Sequence, residues 1–481
     1  MNVLILDVGT SSMRGTLMDE RGRALAQKQI KYQPEFQPGG RVEQDADQWR
    51  RALLAIAAEL GKRGGIAAIG LTAQRSSLIP VDEQGTPLRR AVMWQDTRNA
   101  EIADRLSAHN DRVFAATGSR VNTVYSGTKM AWLRQAEPET YAAADKLAVV
   151  ADYLVGVMTG RVRTDATYGS RSLLMDLRTR QWDSELLALF GVEREKLCEI
   201  VAPGGVIGTT CAAFAAETGL PPGLPVVSCG GDQQCGALGQ GVLRDGDLSV
   251  NLGTGAYLIA ASRGVPEGLK QDVVCNASAV PGEYILESNL LSCCCALDWF
   301  MAQFCPDLSY DALNGVLDRT VPGAGGVLCL PDFQGRSMPD WNSRARGVFS
   351  GLSLSSTRED CLRALLEGIC YEISAHIGCM SAYVPVEHLS CAGGLTRCGG
   401  FVQLLSDVTG RAVTVRPDAE ATTLGAWMST VCALGLYSDL SLTWEAVCPK
   451  EETRYQPNPA RTAFYRAQQR AQASLYHRVN P

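Results

Sequence analysis

The sequence predicts an α/β protein built from two similar domains, and three observations carry that expectation. At 481 residues the chain is longer than one hydrophobic core usually serves. Strand-like apolar runs alternate with helical patterns along its length. The opening LILDVGTSSMRGTLM returns about 240 residues later as LSVNLGTGAYLIAAS, a second strand, Gly-Thr turn and strand. The division is expected to give domains 1–243 and 244–481.

Val3-Leu4-Ile5-Leu6 is a buried-strand run ending at Asp7, and a turn over residues 9–12 leads to a second strand near 14–18. A turn at Asp19-Glu20-Arg21-Gly22 starts a third strand near 23–31. Asp45 reads as the N-cap of a helix whose Trp49, Leu53, Ile56 and Leu60 share one face. IAAIGLTA and SSLIPVDEQG follow as strands, and YSGTKMAWLRQ as a helix. After the second Gly-Thr turn come the strand GVLCLPDF and a helix opened by Thr357-Arg358-Glu359-Asp360, a capping box with Asp in the Glu position. Its buried stripe is Leu362, Leu365, Leu366, Ile369 and Ile373. HLSCAGGLTRCGGFVQLLSDVTG reads as strand, Gly-rich turn and helix; AVTVRP is a strand, and TTLGAWMSTVCALGLY and PARTAFYRAQQRAQASLYHRV are helices.

A net charge of −6 and a pI near 5.5 exclude a general nucleic-acid binder, whose phosphate contacts need a basic face. No apolar run reaches the roughly 20 residues of a membrane-spanning helix, and no basic stretch leads an apolar segment at the start, so a cytoplasmic protein without a membrane partner is expected. All 17 cysteines lie at or after Cys198 with no paired C-x-x-C elements, which points to reduced, packed thiols rather than a zinc site. The partner this leaves is a small molecule.

The first turn offers exposed amides, the hydroxyls of Thr10 and Ser11, and Arg14, a set suited to a phosphate. Asp7 at the strand end can hold magnesium through water. Thr254 and Gly255 repeat the turn, with Asn251 in the place of Asp7. At Ala392-Gly393-Gly394 the glycines let a flat ring approach the backbone. In VVSCGGDQQCGALGQG, Asp232 suits a general base meeting a hydroxyl, or equally a helix N-cap, and Gln233 stands beside it. Gln74, Arg75, Asp96 and Arg98 can hydrogen-bond polyol hydroxyls, while Trp94 offers an apolar face. No P-loop pattern occurs.

Together DVGTSSMR, YSGTKMAWL, GGDQQCGALGQG, NLGTG, ARGVFSGLS and AGGLTRCGGFVQLLSDVTG through TTLGAW identify a chain that resembles the FGGY carbohydrate kinases, nearest their glycerol kinase side. The resemblance implies two ribonuclease-H-like domains of the actin and hexokinase type around a cleft for ATP and substrate. It implies that Thr10, Ser11 and Arg14 contact phosphates, with Asp7 near magnesium. Thr254 and Gly255 form the second phosphate turn, and Gly394 lies against adenine. Cys294, Asp298 and Cys398 fall in the nucleotide elements. Asp232 is the implied base, and Gln74, Arg75, Ser76, Trp94, Asp96 and Gln233 border the substrate.

The chain departs from that pattern in places. Glycerol kinases have Glu where this chain has Ser76 and an aromatic residue where it has Val124, which counts against glycerol. The Met-His pair of xylulokinases is absent. Cys294 replaces a usual glycine and Cys398 a usual asparagine. The expected activity is ATP-dependent phosphorylation of a sugar, polyol or related carbonyl compound, with a ketopentose, a tetritol, a sugar acid or a quorum-signal carbonyl compound as candidates. The alternative is a nucleotide-binding sensor or scaffold with the same fold. A homodimer is the expected assembly.

Overall fold

Strand β1 (Asn2–Val8) is apolar on both faces because both are covered: Leu4, Leu6 and Val8 enter one core, Val3 and Ile5 another. The computed structural model describes residues 1–417 and 420–480. From β1 the chain runs through β2 (Ser12–Asp19) and β3 (Ala24–Lys31), then helix α1 (Ala46–Gly61) and strand β4 (Ile66–Ala73). As expected, Asp45 caps α1 by accepting from the Asp47 amide, and Trp49, Leu53, Ile56 and Leu60 are buried. Helix α2 (Ser126–Ala136), strands β5 (Gly205–Thr209) and β6 (Pro225–Gly231), and helix α3 (Asp232–Leu238) complete the elements of the first half that matter for the site.

The second half contains β7 (Gly246–Leu252), β8 (Ala256–Ser262), β9 (Val274–Ala277) and β10 (Tyr284–Leu290). Helices α4 (Cys294–Phe304) and α5 (Arg358–Ser381) follow, the latter opened by the Thr357–Asp360 capping box. Then come β11 (Val386–Ala392), α6 (Gly399–Thr409), β12 (Val413–Val415), α7 (Ala421–Ala433), α8 (Leu440–Val447), β13 (Thr453–Tyr455) and α9 (Pro459–Val479).

The repeat suspected from the two Gly-Thr turns extends to whole sheets. The first has the order β5-β6-β4-β1-β2-β3 and the second β13-β12-β11-β7-β8-β10-β9. In each, the central strand pairs antiparallel with its hairpin partner and parallel with the strand on its other side, β1 with β2 and β4, β7 with β8 and β11. The second hairpin is tighter: β1 and β2 close at Val8 and Met13, β7 and β8 at Leu252 and Ala256.

The two halves are stitched together by a segment that crosses back. Helix α7 follows the second sheet in sequence, yet Leu424, Trp427, Met428 and Val431 pack with Val3, Ile5, Ala68 and Val227 of the first. The Trp427 indole N–H donates to the Asp19 carbonyl at 3.0 Å. Residues 421–447 thus belong spatially to the first sheet.

Candidate active site

Each hairpin turn holds its shape with a single backbone bond and leaves amides free. Gly9 N–H donates to Ser12 O and Gly253 N–H to Gly255 O, both at 2.9 Å. Among the described residues, the amides of Thr10, Ser11 and Thr254 donate to no protein group. A Cβ on Gly255 would lie 2.5 Å from Leu290 O, so the close approach of this turn to β10 requires glycine. Thr254 O in turn accepts from the Cys293 and Cys295 amides at 3.0 and 3.2 Å, fixing the start of α4 against the turn. Cys294 is half-buried there, with its sulfur 3.8 Å from Leu252 O. Asp298 is exposed one turn on and accepts from the Tyr310 hydroxyl at 2.6 Å.

Asp7 lies near the end of β1, opposite Arg14 of β2. Burial, with the charge of Asp232 added, pushes its carboxyl up to about 7 even though Arg14 pulls the other way. Arg14 is itself paired with Glu420 at 2.7 Å, an ion pair that joins β2 to the start of α7. Asp232 opens α3 where β6 ends; Gly231 is the N-cap, and Asp232 is the first helical residue rather than the cap. Its Oδ1 accepts from the Gln233 amide at 2.8 Å. Burial raises its pKa, and Arg75, whose Nε is 3.8 Å from Oδ1, counters that.

Asp232 and Gln233 border two cavities at once. One, of about 630 Å³, is also lined by Thr10, Gln74, Arg75, Ser76 and Trp94, and by residues of the second half such as Glu287 and Trp341. The other, of about 200 Å³, runs past Gly236 and Asn251 to Gly393, where it meets a groove of about 670 Å³ between β11, Arg416 and Trp444. Shared lining residues therefore connect the groove beside the Gly-Gly turn, past the carboxylate, with the 630 Å³ cavity.

Within the 630 Å³ cavity Gln74 spans the first turn: its Nε2 donates to Gly9 O at 3.3 Å and its Oε1 accepts from Ser77 at 3.2 Å. The Trp94 indole N–H donates to Thr10 Oγ1 at 3.1 Å, which leaves its ring face for a ligand. Ser76 has a left-handed backbone, φ +70°, and its hydroxyl donates to Arg171 O at 3.3 Å. Arg75 reaches across the cleft to Glu287 Oε1 at 2.6 Å, and Arg171 adds a second cation 3.6 Å from Oε2. Burial resists ionisation of Glu287, but these two guanidinium groups hold its carboxyl below the usual range. Tyr125, next to the expected Val124, carries Arg171 over its ring at 4.5 Å. Sequence reading missed Arg120, Arg171, Glu287 and Arg336, and of Tyr125 it noted only an aromatic residue next to Val124. Only YSGTKMAWL pointed to that stretch.

Two expected site residues are elsewhere. Asp96 is fully buried away from the cavity, accepting from the Val42 amide at 2.6 Å and pairing with Arg98 at 2.8 Å. A short acidic side chain following a strand folds back onto its own neighbourhood. Asp96→Ala is expected to lower stability by roughly 1–3 kcal/mol, because it orphans the Val42 donor while Glu43 keeps Arg98 paired. Denaturant unfolding measures this, and the Michaelis constant for the acceptor should stay put; a changed constant with unchanged stability would return Asp96 to the site. Cys398 is also buried, its thiol donating to Asn314 Oδ1 at 3.3 Å, so it does not present its side chain to the groove.

The two glycines of the third turn differ. Gly393 has φ +100°, and a Cβ there would sit 2.2 Å from Leu252 O, whereas a Cβ on exposed Gly394 meets nothing within 4 Å. Gly393 makes the turn, and Gly394 is the open surface.

The FGGY family of carbohydrate kinases matches the chain twice, its N-terminal domain over residues 2–239 and its C-terminal domain over residues 248–434. The chain belongs to this family. It is an ATP-dependent carbohydrate kinase, with the two-domain fold of actin and hexokinase. The FGGY chain is 33% identical to a glycerol kinase of Trichlorobacter lovleyi, over 92% of its own length and 93% of the relative's. It is 32% identical to a glycerol kinase of Alkalilimnicola ehrlichii over 90% of each. In fold it is similar to a ligand-bound xylulose kinase of Lactobacillus acidophilus, with a TM-score of 0.93 at 22% identity, covering all of this chain and 98% of the other. No described helix of this kinase is long and apolar enough to cross a membrane.

Gly393→Ala in this FGGY kinase is expected to cost roughly 1–3 kcal/mol in the turn and to weaken nucleotide binding. Calorimetric titration with an unreactive ATP analogue checks this, and undiminished affinity would show that the turn does not shape the groove.

Proposed function

We propose that this kinase moves the γ-phosphoryl group of ATP to a hydroxyl of a small sugar or polyol held against Asp232. The observation that carries the reading is the position of Asp232 at the junction between the groove side and the 630 Å³ cavity. The Asp232 carboxylate takes the proton of the acceptor hydroxyl as that oxygen bonds to the γ-phosphorus. The bond from phosphorus to the β,γ-bridging oxygen breaks, and ADP leaves with the electron pair.

The free amides and hydroxyls of Thr10 and Ser11, with Arg14, serve the phosphates from one side; Thr254 and Gly255 serve them from the other. Gly394 takes the adenine face, with Cys294 and Asp298 at the same end. Arg75, Gln74, Ser76, Trp94 and Gln233 position the acceptor. Among the described residues no three His, Cys, Asp or Glu side chains gather into a metal cage. Magnesium needs none, since it keeps most of its waters and takes one or two carboxylates. Asp7 fits it: an oxygen donor whose buried charge faces Asp232 and lacks full compensation. The ion would neutralise phosphate charge there. Residues 1–243 then carry the base and most of the acceptor side, and 244–481 most of the nucleotide side with Glu287 and Trp341 completing the acceptor cavity, in a cytoplasmic enzyme.

A panel of sugars and polyols scored by ADP release tests the reading, with Arg75→Ala as a companion variant. At least one acceptor should stimulate release, and Arg75→Ala should raise its Michaelis constant. ADP release that no acceptor stimulates overturns it.

A further inference from the structure

Six charged side chains face the 630 Å³ cavity: Arg75, Arg120, Arg171, Arg336, Asp232 and Glu287. Most of that charge is spoken for. Arg75 and Arg171 share Glu287, with Asp232 3.8 Å from Arg75, so two cations meet two carboxylates. Arg336 pairs outside the cavity with Glu372 at 2.9 Å and with Asp340 at 3.7 Å. Arg120 differs. Among the described residues its guanidinium forms no ion pair and no side-chain hydrogen bond; it lies 5.5 Å over the ring of Trp341, which belongs to the other half of the chain. The ring attracts the guanidinium charge and leaves its N–H donors without a protein partner among the described residues.

The cavity thus has one uncompensated positive charge, carried by a side chain with the fork geometry that accepts a carboxylate in two parallel hydrogen bonds. It is also roomy. Its volume is about 630 Å³, within the range of sites that take ligands larger than a triol. A triol as small as glycerol would fill only a small part of it.

We propose that the acceptor is a polyhydroxy carboxylate, a sugar acid, whose carboxylate is held by Arg120 and whose far hydroxyl meets Asp232. This rests on the kinase reading above. One guanidinium matches a monoanion; a phosphate dianion would leave surplus negative charge in a cavity that already holds Asp232 and Glu287. Trp94, Tyr125 and Tyr257 line the same cavity and offer surfaces for the carbon chain.

The test compares sugar acids with alditols of equal chain length on the intact protein, by calorimetric binding and by ADP release. Acids should bind at least about tenfold tighter than their alditols. Arg120→Met should shrink that preference by roughly 10–100-fold, the loss of a charge-assisted hydrogen-bond pair, and Arg120→Lys should keep part of it. Scanning calorimetry establishes that both variants are folded. Alditols that bind as tightly as acids, a preference that survives Arg120→Met, or no binding by either series each overturn the proposal. Acid that binds without ADP release supports the Arg120 assignment and counts against the kinase reading. A neutral sugar turned over equally well by Arg120→Met does the reverse.

Discussion

Asp232→Asn is expected to lower turnover by about 10²–10⁴-fold, the usual worth of a general base. The substitution is close to isosteric, and the amide oxygen of asparagine can still accept from the Gln233 N–H that Asp232 holds at 2.8 Å. Arg75 keeps Glu287 as its principal partner at 2.6 Å, so the wall of the cavity should stand. What disappears is the basic oxygen pair between the two cavities. Nucleotide titration should show affinity within a few-fold of the parent, since the groove and both Gly-Thr turns are untouched. One side effect has a definite sign: Asp232 is among the charges that raise the Asp7 pKa, so its neutralisation lets Asp7 ionise at lower pH. Turnover that falls less than tenfold would remove Asp232 from its role as base.

Trp427→Ala is expected to cost about 3–5 kcal/mol of stability, the range for truncating a large buried aromatic side chain. Trp427 is fully buried, meets Tyr437 edge-on at 6.3 Å between ring centroids, and donates its indole N–H to Asp19 O. Truncation opens a cavity between α7 and the first sheet and removes one of two donors to the Asp19 carbonyl, which keeps the Gly22 amide at 3.1 Å. Trp427→Phe separates the two terms, since it keeps most of the volume and loses only the hydrogen bond; its cost should be near 1–2 kcal/mol. Chemical denaturation of both variants checks the pair. A loss below about 1 kcal/mol for Trp427→Ala would mean that α7 is only loosely seated.

What the sequence disclosed about this kinase is what is local. The hairpin turns, the Asp45 cap and the Thr357–Asp360 capping box each depend on residues within a few positions, and their side chains sit where the pattern put them. The repeat was legible because Gly-Thr turns mark equivalent strand ends in both halves. The 630 Å³ cavity was not, since its decisive contact, Arg75 to Glu287, joins residues 212 apart. Asp96 misled because a polar residue after a strand looks alike whether it turns to a ligand or to the Val42 amide. Helix α7 was visible as a helix but not in its placement. Residues 423–431 are buried without interruption, as in a helix wedged between partners, and apolar periodicity does not say which partners those are.

The Asp19–Trp427 contact closes over 408 residues and has a consequence for biosynthesis. As the chain leaves a ribosome, Val3, Ile5, Ala68 and Val227 are assembled long before the helix that covers them has been translated. One side of the nascent first sheet therefore stays wet and adhesive until nearly nine-tenths of the polypeptide exists. Cutting the gene between the two sheets would separate a lid from its vessel: residues 1–243 alone should be sticky, and adding residues 421–447 back should cure them. The enzyme is made from front to back but finishes folding at its beginning.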